Sequence, residues 1–248
     1  MLVNASDQQV PHRRTVVSYV QRGERMTAGQ QRAWDRHWDE LGADVSALPE
    51  GPLAADSWFG RRAPLVLEIG SGMGETTAQL VAAEPEVNYL AVEVYKPGLA
   101  QLLLRAEGAE VSNLRVLRGD ASVLLREHIE PGALSEVRIY FPDPWPKKRH
   151  HKRRLVQPPV VELIATRLRP GGVLHLATDW TDYAEQMMEV CSAEPLLRNR
   201  FSAEPGGWAP RPPWRPVTKF ENRAHEEGRA VHDLIFERAD EPEPAADR

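Results

Sequence analysis

From residue 65 onward, short apolar runs alternate with segments of helical spacing, and this alternation constrains the fold more than any other feature of the 248-residue chain. LVLEIG (65–70) reads as a buried strand, and ETTAQLVAAEP (75–85) as a helix stopped by Pro85. NYLAVEV (88–94) is a second strand, followed by the helical LAQLLLRAEG (99–108), closed by Gly108. NLRVLRG (113–119) and SEVRIYF (135–141) are further strands. VVELIATRLRPGG (160–172) is a helix ended by a Pro-Gly-Gly turn, VLHLATD (173–179) a fifth strand, YAEQMMEVCSAE (183–194) a helix, and VHDLIFER (231–238) a late strand. Such alternation implies an α/β fold with a mostly parallel sheet covered by helices on both faces. Ligands of such sheets sit at the carboxyl ends of the strands, where most of the unusual residues fall.

The organisation around this core is simple. Residues 1–62 read as a basic extension with one helix and a linker, 63–238 as the main domain, and 239–248 as an acidic, disordered tail. MTAGQQRAWDRHWDEL (26–41) has amphipathic helical spacing with Thr27 as its N-cap, and Trp34 and Trp38 pack that helix. PGGWAPRPPWRP (205–216) holds too much Pro and Gly for a regular element. No run approaches the ~18 to 20 apolar residues of a membrane helix, and the N-terminus lacks the pattern of a signal peptide. Cys191 is the only cysteine, which excludes an internal disulfide and cysteine-based zinc sites. A cytoplasmic location is expected. The net charge of -5 speaks mildly against nucleic acid, but the basic residues cluster: Arg13, Arg14, Arg22, Arg25, Arg32 and Arg36 near the start, and Lys147 to Arg154 in the middle.

Gly70, Gly72 and Gly74 follow the first strand and open a helix, so a ligand can approach the backbone there. The glycines alone are shared by NAD, FAD and S-adenosylmethionine folds. Two acids sharpen the reading: Glu68 precedes the turn, and Glu75 stands where a dinucleotide fingerprint places its last glycine. They would repel a pyrophosphate and attract a sulfonium and an ammonium group. S-adenosylmethionine carries both cations and no phosphate. Glu93, at the end of the second strand, can accept hydrogen bonds from ribose hydroxyls, and Asp120 is placed to meet an adenine amino group. Structural alternatives are a helix-start carboxylate at Glu93 and an N-cap at Asp120.

The fourth strand runs into Phe141-Pro142-Asp143-Pro144-Trp145-Pro146. Two prolines stiffen the backbone around one carboxylate. Trp145 offers a flat surface for a base, and the run from Lys147 to Arg154 offers cations to phosphate. His150 and His151 lack acidic or cysteine partners nearby, so no metal site is expected.

These blocks are similar to those of the bacterial tRNA (guanine-N7)-methyltransferases. The resemblance rests on LEIGSGMGE, AVEVYKPG, RGDAS, IYFPDPWPKKRHHKRRLV, LATDW and TKFENRAHEEG, and covers most of residues 15–238. It implies a Rossmann-like class I methyltransferase fold with an N-terminal helical extension, and S-adenosylmethionine as donor, leaving S-adenosylhomocysteine. It implies donor binding by Glu68, Glu93, Asp120 and Asp143, beside the glycines Gly70 and Gly72. It implies substrate contact by Lys147, Asp179, Thr218, Lys219, Phe220 and Glu221. Asp143 is the expected catalytic residue, and a guanine in the tRNA variable loop the expected target. Asp179 and Glu221 are expected at the guanine edge and Lys219 on a phosphate. Asp179 has a second reading as an N-cap. The alternatives are a methyltransferase acting on amino groups, a non-catalytic RNA-binding protein, and an NAD oxidoreductase. Monomer and homodimer are both compatible with the sequence.

Overall fold

The computed structural model describes residues 17–19, 23–109 and 111–240. Arg13, Arg14, Arg22 and the acidic tail from residue 241 lie outside the described residues.

Helix α1 (Ala28–Leu41) leads into the short strand β1 (Gly42–Asp44) and helix α2 (Ala55–Phe59). The main alternation follows: β2 (Leu65–Ile69), α3 (Glu75–Ala83), β3 (Asn88–Glu93), α4 (Lys96–Ala109), β4 (Leu114–Arg118), α5 (Ala121–Glu127), β5 (Leu134–Tyr140), α6 (Pro158–Arg167), β6 (Leu168–Thr178) and α7 (Thr181–Ser192). Strand β7 (Leu197–Asn199), helix α8 (Lys219–Glu226) and strand β8 (His232–Arg238) complete the fold. The sheet order is β1-β4-β3-β2-β5-β6-β8-β7. β1 to β6 pair in parallel, and β8 is inserted antiparallel between β6 and β7.

Alternation of side chains builds the two faces. Leu67, Ile69, Leu90, Val92, Val137, Ile139, Leu174 and Leu176 enter one buried cluster. Val66, Tyr89, Ala91, Leu114, Val116 and Ala177 enter the other. Strands buried on both faces read as continuous apolar runs, which is why β2 and β3 were legible. Each buried Leu or Val contributes about 1.5–3 kcal/mol.

The segment before residue 63 is more than an extension. β1 forms the sheet edge beside β4, and Val45 and Phe59 enter the core. α1 starts with a capping box, Gln30 N–H donating to Thr27 Oγ1 at 3.3 Å and Thr27 N–H to Gln30 Oε1 at 2.9 Å. Trp34 and Trp38 stack at 3.8 Å, and the Lys96 ammonium lies 4.6 Å from the Trp34 ring. The Lys96 contact, with Gln30 Nε2 donating to Gln101 Oε1 at 3.2 Å, seats α1 on α4.

Boundaries that differ from the sequence reading include the end of α4 and the start of β6. α4 continues through Gly108 to Ala109. The Pro170-Gly171-Gly172 turn lies inside β6 as a bulge: Leu134 pairs with Leu168, and the next register partner of β6 is Val173, with Glu136.

Candidate active site

The chain runs outward from β2 to β3 and β4, then returns to add β5 on the other side of β2. The crevice between the ends of β2 and β5 is therefore the topological switch point. A cavity of about 600 Å³ opens there, within the range of small-ligand pockets. Glu68, Gly70, Gly72, Glu93, Asp120, Asp143, Thr218, Lys219 and Phe220 line it. Lys147, Asp179 and Glu221 do not.

The turn after β2 has φ of +82° at Gly70, +55° at Gly72 and +68° at Gly74, a backbone region that favours glycine. Gly98 was missed by sequence reasoning because its reason is spatial. A Cβ there would sit 2.2 Å from the Gly72 carbonyl oxygen, so α4 can press against the turn only as glycine. Gly98→Ala is expected to cost about 1–3 kcal/mol by overpacking. Denaturant unfolding measures it; an unchanged midpoint would show that α4 moves aside freely. Arg105 supports the same turn, its Nε donating to the Met73 carbonyl at 3.2 Å.

The strand-end acids differ in environment. Glu68 is buried, and burial pushes its carboxyl up despite the 2.9 Å hydrogen bond from Tyr89 Oη. Glu93 accepts from Gly72 N–H at 2.9 Å, Val94 N–H at 2.7 Å and Tyr95 N–H at 2.9 Å. A carboxylate has about four lone-pair sites, so acceptor capacity remains for a ligand. Asp120 caps α5, its Oδ1 accepting from Ser122 N–H at 2.8 Å. The N-cap reading is thus realised while the residue also faces the cavity.

Phe141 and Trp145 have φ of +49° and +46°, unusual values for side chains of this size. They bracket Pro142-Asp143-Pro144 and turn Asp143 toward the cavity. Arg154, almost fully buried, fixes this turn. Its Nε donates to the Pro144 carbonyl at 2.9 Å, its Nη1 to Gln186 Oε1 at 2.6 Å, and it pairs with Asp182.

The basic run is therefore divided. Lys147, Lys148, Arg149 and Lys152 are exposed, whereas Arg154 is structural. Arg153 lies 3.8 Å from the Trp145 ring centroid and donates to the carbonyls of Val17 and Tyr19, each at 3.2 Å. Trp145 Nε1 donates to the Ser18 carbonyl at 3.1 Å. Trp145 thus packs a guanidinium on its ring and ties down residues 17–19, a different role from the stacking surface expected of it.

Glu221 also differs from expectation. It is fully buried, with Arg211 Nε at 2.6 Å and Arg215 Nη1 at 2.8 Å. Burial pushes its carboxyl up, and these two guanidiniums outweigh that and hold it below the usual carboxylate range. It stands behind the cavity wall. Asp179 pairs with Arg229 at 2.9 Å and does not cap α7, whose N-cap is Trp180. Trp180 and Trp208 pack against the core. Tyr19, Tyr95, Gln101 and Tyr140 also line the cavity; of these Tyr95, inside AVEVYKPG, and Tyr140, inside IYFPDPWPKKRHHKRRLV, carried a sequence signal.

Comparison with known proteins places this architecture. A family model described as "Putative methyltransferase" matches residues 62–234. The tRNA (guanine-N(7)-)-methyltransferase of Streptomyces coelicolor is 51% identical over 231 residues, 93% of this chain and 84% of that protein. That of Rhodococcus jostii is 54% identical over 222 residues, 89% and 83% of the two chains. That of Halorhodospira halophila is 50% identical over 220 residues, 88% and 93%. The crystal structure of the 16S rRNA methyltransferase KamB shares the fold, with a TM-score of 0.52 at 16% identity over 79% of this chain and 98% of that one. Half identical to three such enzymes along most of its length, and carrying a methyltransferase sheet with a cavity at its switch point, the chain belongs to the tRNA (guanine-N7)-methyltransferase family.

Proposed function

We propose that the protein methylates the N7 of a guanine in the variable loop of tRNA, using S-adenosylmethionine and forming 7-methylguanosine. The observation that carries this reading is Asp143, one carboxylate held between two prolines at the mouth of the switch-point cavity. The donor fits the residues present: a positive-φ glycine turn open to the cavity at Gly70 and Gly72, with carboxylates at the ends of β2, β3 and β4.

S-adenosylmethionine supplies an electrophilic methyl group when bound. Glu68 attracts its cationic groups, Glu93 accepts from its ribose, and Asp120 meets its adenine. The guanine N7 lone pair is free at neutral pH, so no general base is required. The protein's task is alignment and stabilisation of the positive charge that arrives on the guanine ring, for which Asp143 is placed. Thr218, Lys219 and Phe220 form the opposite wall. The base lies in folded tRNA and must leave its stack to enter the cavity.

Glu68 binds cations only when ionised, yet burial holds its carboxyl above the ordinary value. Where Glu68 is still protonated before the donor arrives, donor binding releases that proton. Affinity for S-adenosylhomocysteine, whose ammonium group remains, should rise with pH until Glu68 is ionised and then level off. Calorimetry across that range checks this; a flat profile would remove Glu68 from the cation site.

Lys147 is exposed on the loop leaving the Asp143 turn. If it meets a phosphate, Lys147→Ala should weaken tRNA binding and reduce the slope of log affinity against log salt by about 1. An unchanged slope places it outside the interface. The reading as a whole is tested by digesting tRNA after incubation with donor and enzyme. Mass spectrometry with chromatography should find 7-methylguanosine; a methylated amino group instead would reassign the reaction.

A further inference from the structure

The cavity wall made by Thr218, Lys219 and Phe220 has little apolar packing behind it. In α8 only Glu221 and Ala224 are buried, and Phe220 is 68% exposed. Burial of one alanine cannot hold a helix start in place. The Glu221 carboxylate holds it instead, through Arg211 and above all Arg215.

Arg215 is fully buried in a loop that composition alone marks as irregular. Its Nη1 donates to Glu221 Oε2 at 2.8 Å and its Nη2 to Glu221 Oε1 at 3.2 Å. The same guanidinium grips Asp233 on β8, from Nε at 3.0 Å and Nη2 at 2.9 Å. Asp233 Oδ1 lies 2.8 Å from His175 Nε2 on β6, and His175 Nδ1 lies 2.9 Å from Tyr140 Oη at the end of β5. A carboxylate only accepts, so Nε2 donates to Asp233. The fully buried Arg215 and the more exposed Arg211 face the two buried carboxylates.

This chain of bonds joins the two walls of the cavity. One end is the start of α8, where Thr218 Oγ1 accepts from Glu221 N–H at 3.1 Å. The other is Tyr140, three residues before Asp143. Arg215 also lies 5.8 Å from the Tyr140 ring and 5.7 Å from the Phe141 ring, and Phe141 stacks on Phe220 at 6.5 Å.

We propose that Arg215 is a positioning residue for methyl transfer, and that Glu221 acts through it to set the Thr218–Phe220 wall against the Asp143 turn instead of reading the guanine itself. The proposal rests on the functional reading above. A fork that grips two carboxylates at once cannot be replaced by a lysine point charge. Misplacement of a wall by about 1 Å can cost about 10²-fold in rate.

The test is a double-variant cycle in the full chain: Glu221→Gln, Arg215→Lys and both together, each read for kcat, KM for tRNA, affinity for S-adenosylhomocysteine and cooperative unfolding. Each single variant should lose about 10²-fold in kcat, with homocysteine-product affinity essentially unchanged. The double variant should lose no more than the worse single one, because both break the same link. Losses that multiply would overturn the proposal, as would a fully active Arg215→Lys beside an inactive Glu221→Gln. Should Arg215→Lys fail to fold, Asp233→Asn, which keeps the side-chain shape, takes its place with the same expectation. The wild-type chain serves as the control for the functional reading. If it forms no 7-methylguanosine, that reading fails and this proposal with it; if it does and the losses multiply, this proposal alone fails.

Discussion

Asp143→Ala is expected to lower kcat by about 10² to 10³-fold, the range seen when one preorganised electrostatic stabiliser is removed. The argument is geometric. Asp143 has proline on both sides and lines the cavity, so its carboxylate is held before the reaction begins and costs no reorganisation during it. Charge moves from the donor onto the guanine ring, and a fixed negative group in a partly enclosed site favours that movement. Asp143→Asn separates charge from shape. It keeps the size and an acceptor oxygen, so a loss close to that of alanine would assign the effect to the charge. The turn should survive both changes, because the Pro144 carbonyl remains tied to Arg154. Single-turnover methyl transfer, with the thermal midpoint measured alongside, gives the answer. Full activity in Asp143→Ala would remove Asp143 from the mechanism, and full activity in Asp143→Asn alone would remove its charge.

Arg215→Met is expected to be the most damaging change to stability. It leaves Asp233 with His175 as its remaining partner in the network, and Glu221 with Arg211. Breaking a buried ion pair from one side costs about 3–5 kcal/mol, because a charge stays buried without compensation. For a chain of this size that corresponds to a midpoint lower by about 10 °C. Replacing Arg215, Asp233 and Glu221 together by apolar residues should be far milder for stability, since the one charge left without its partner, Arg211, reaches solvent. Equal losses in the single and triple variants would show that packing, not charge, makes the site fragile.

Much of the sheet was legible from sequence because its central strands are buried on both faces and carry unbroken apolar runs. β1 and β7 were not, since three residues show no period. α8 was not, because KFENRAHE has one apolar-facing contact at Ala224 and a buried acid where a hydrophobic residue would normally signal a face. The acids that line the cavity were legible for a related reason: Glu68, Glu93, Asp120 and Asp143 sit just at or beyond strand ends that the apolar runs had already located. The residues expected at the substrate were harder to sort. Within the run from Lys147 to Arg154, exposed and buried cations are the same residue types, and only the fold separates Lys147 from Arg154. The burial of Glu221 was not legible either, because its partners Arg211 and Arg215 sit on a proline-rich loop with no pattern of its own. Gly98 has no left-handed backbone to advertise it, and its need for glycine comes from a turn far away in sequence.

The most direct test of the account is methyl transfer from labelled S-adenosylmethionine to an unmodified tRNA transcript, run beside a transcript whose variable-loop guanine is changed to adenine. The account predicts label on the first and none on the second. Label on both would keep the methyltransferase and discard the assigned nucleotide. Absence of label on the first, from a chain shown to bind S-adenosylhomocysteine, would contradict the proposed reaction.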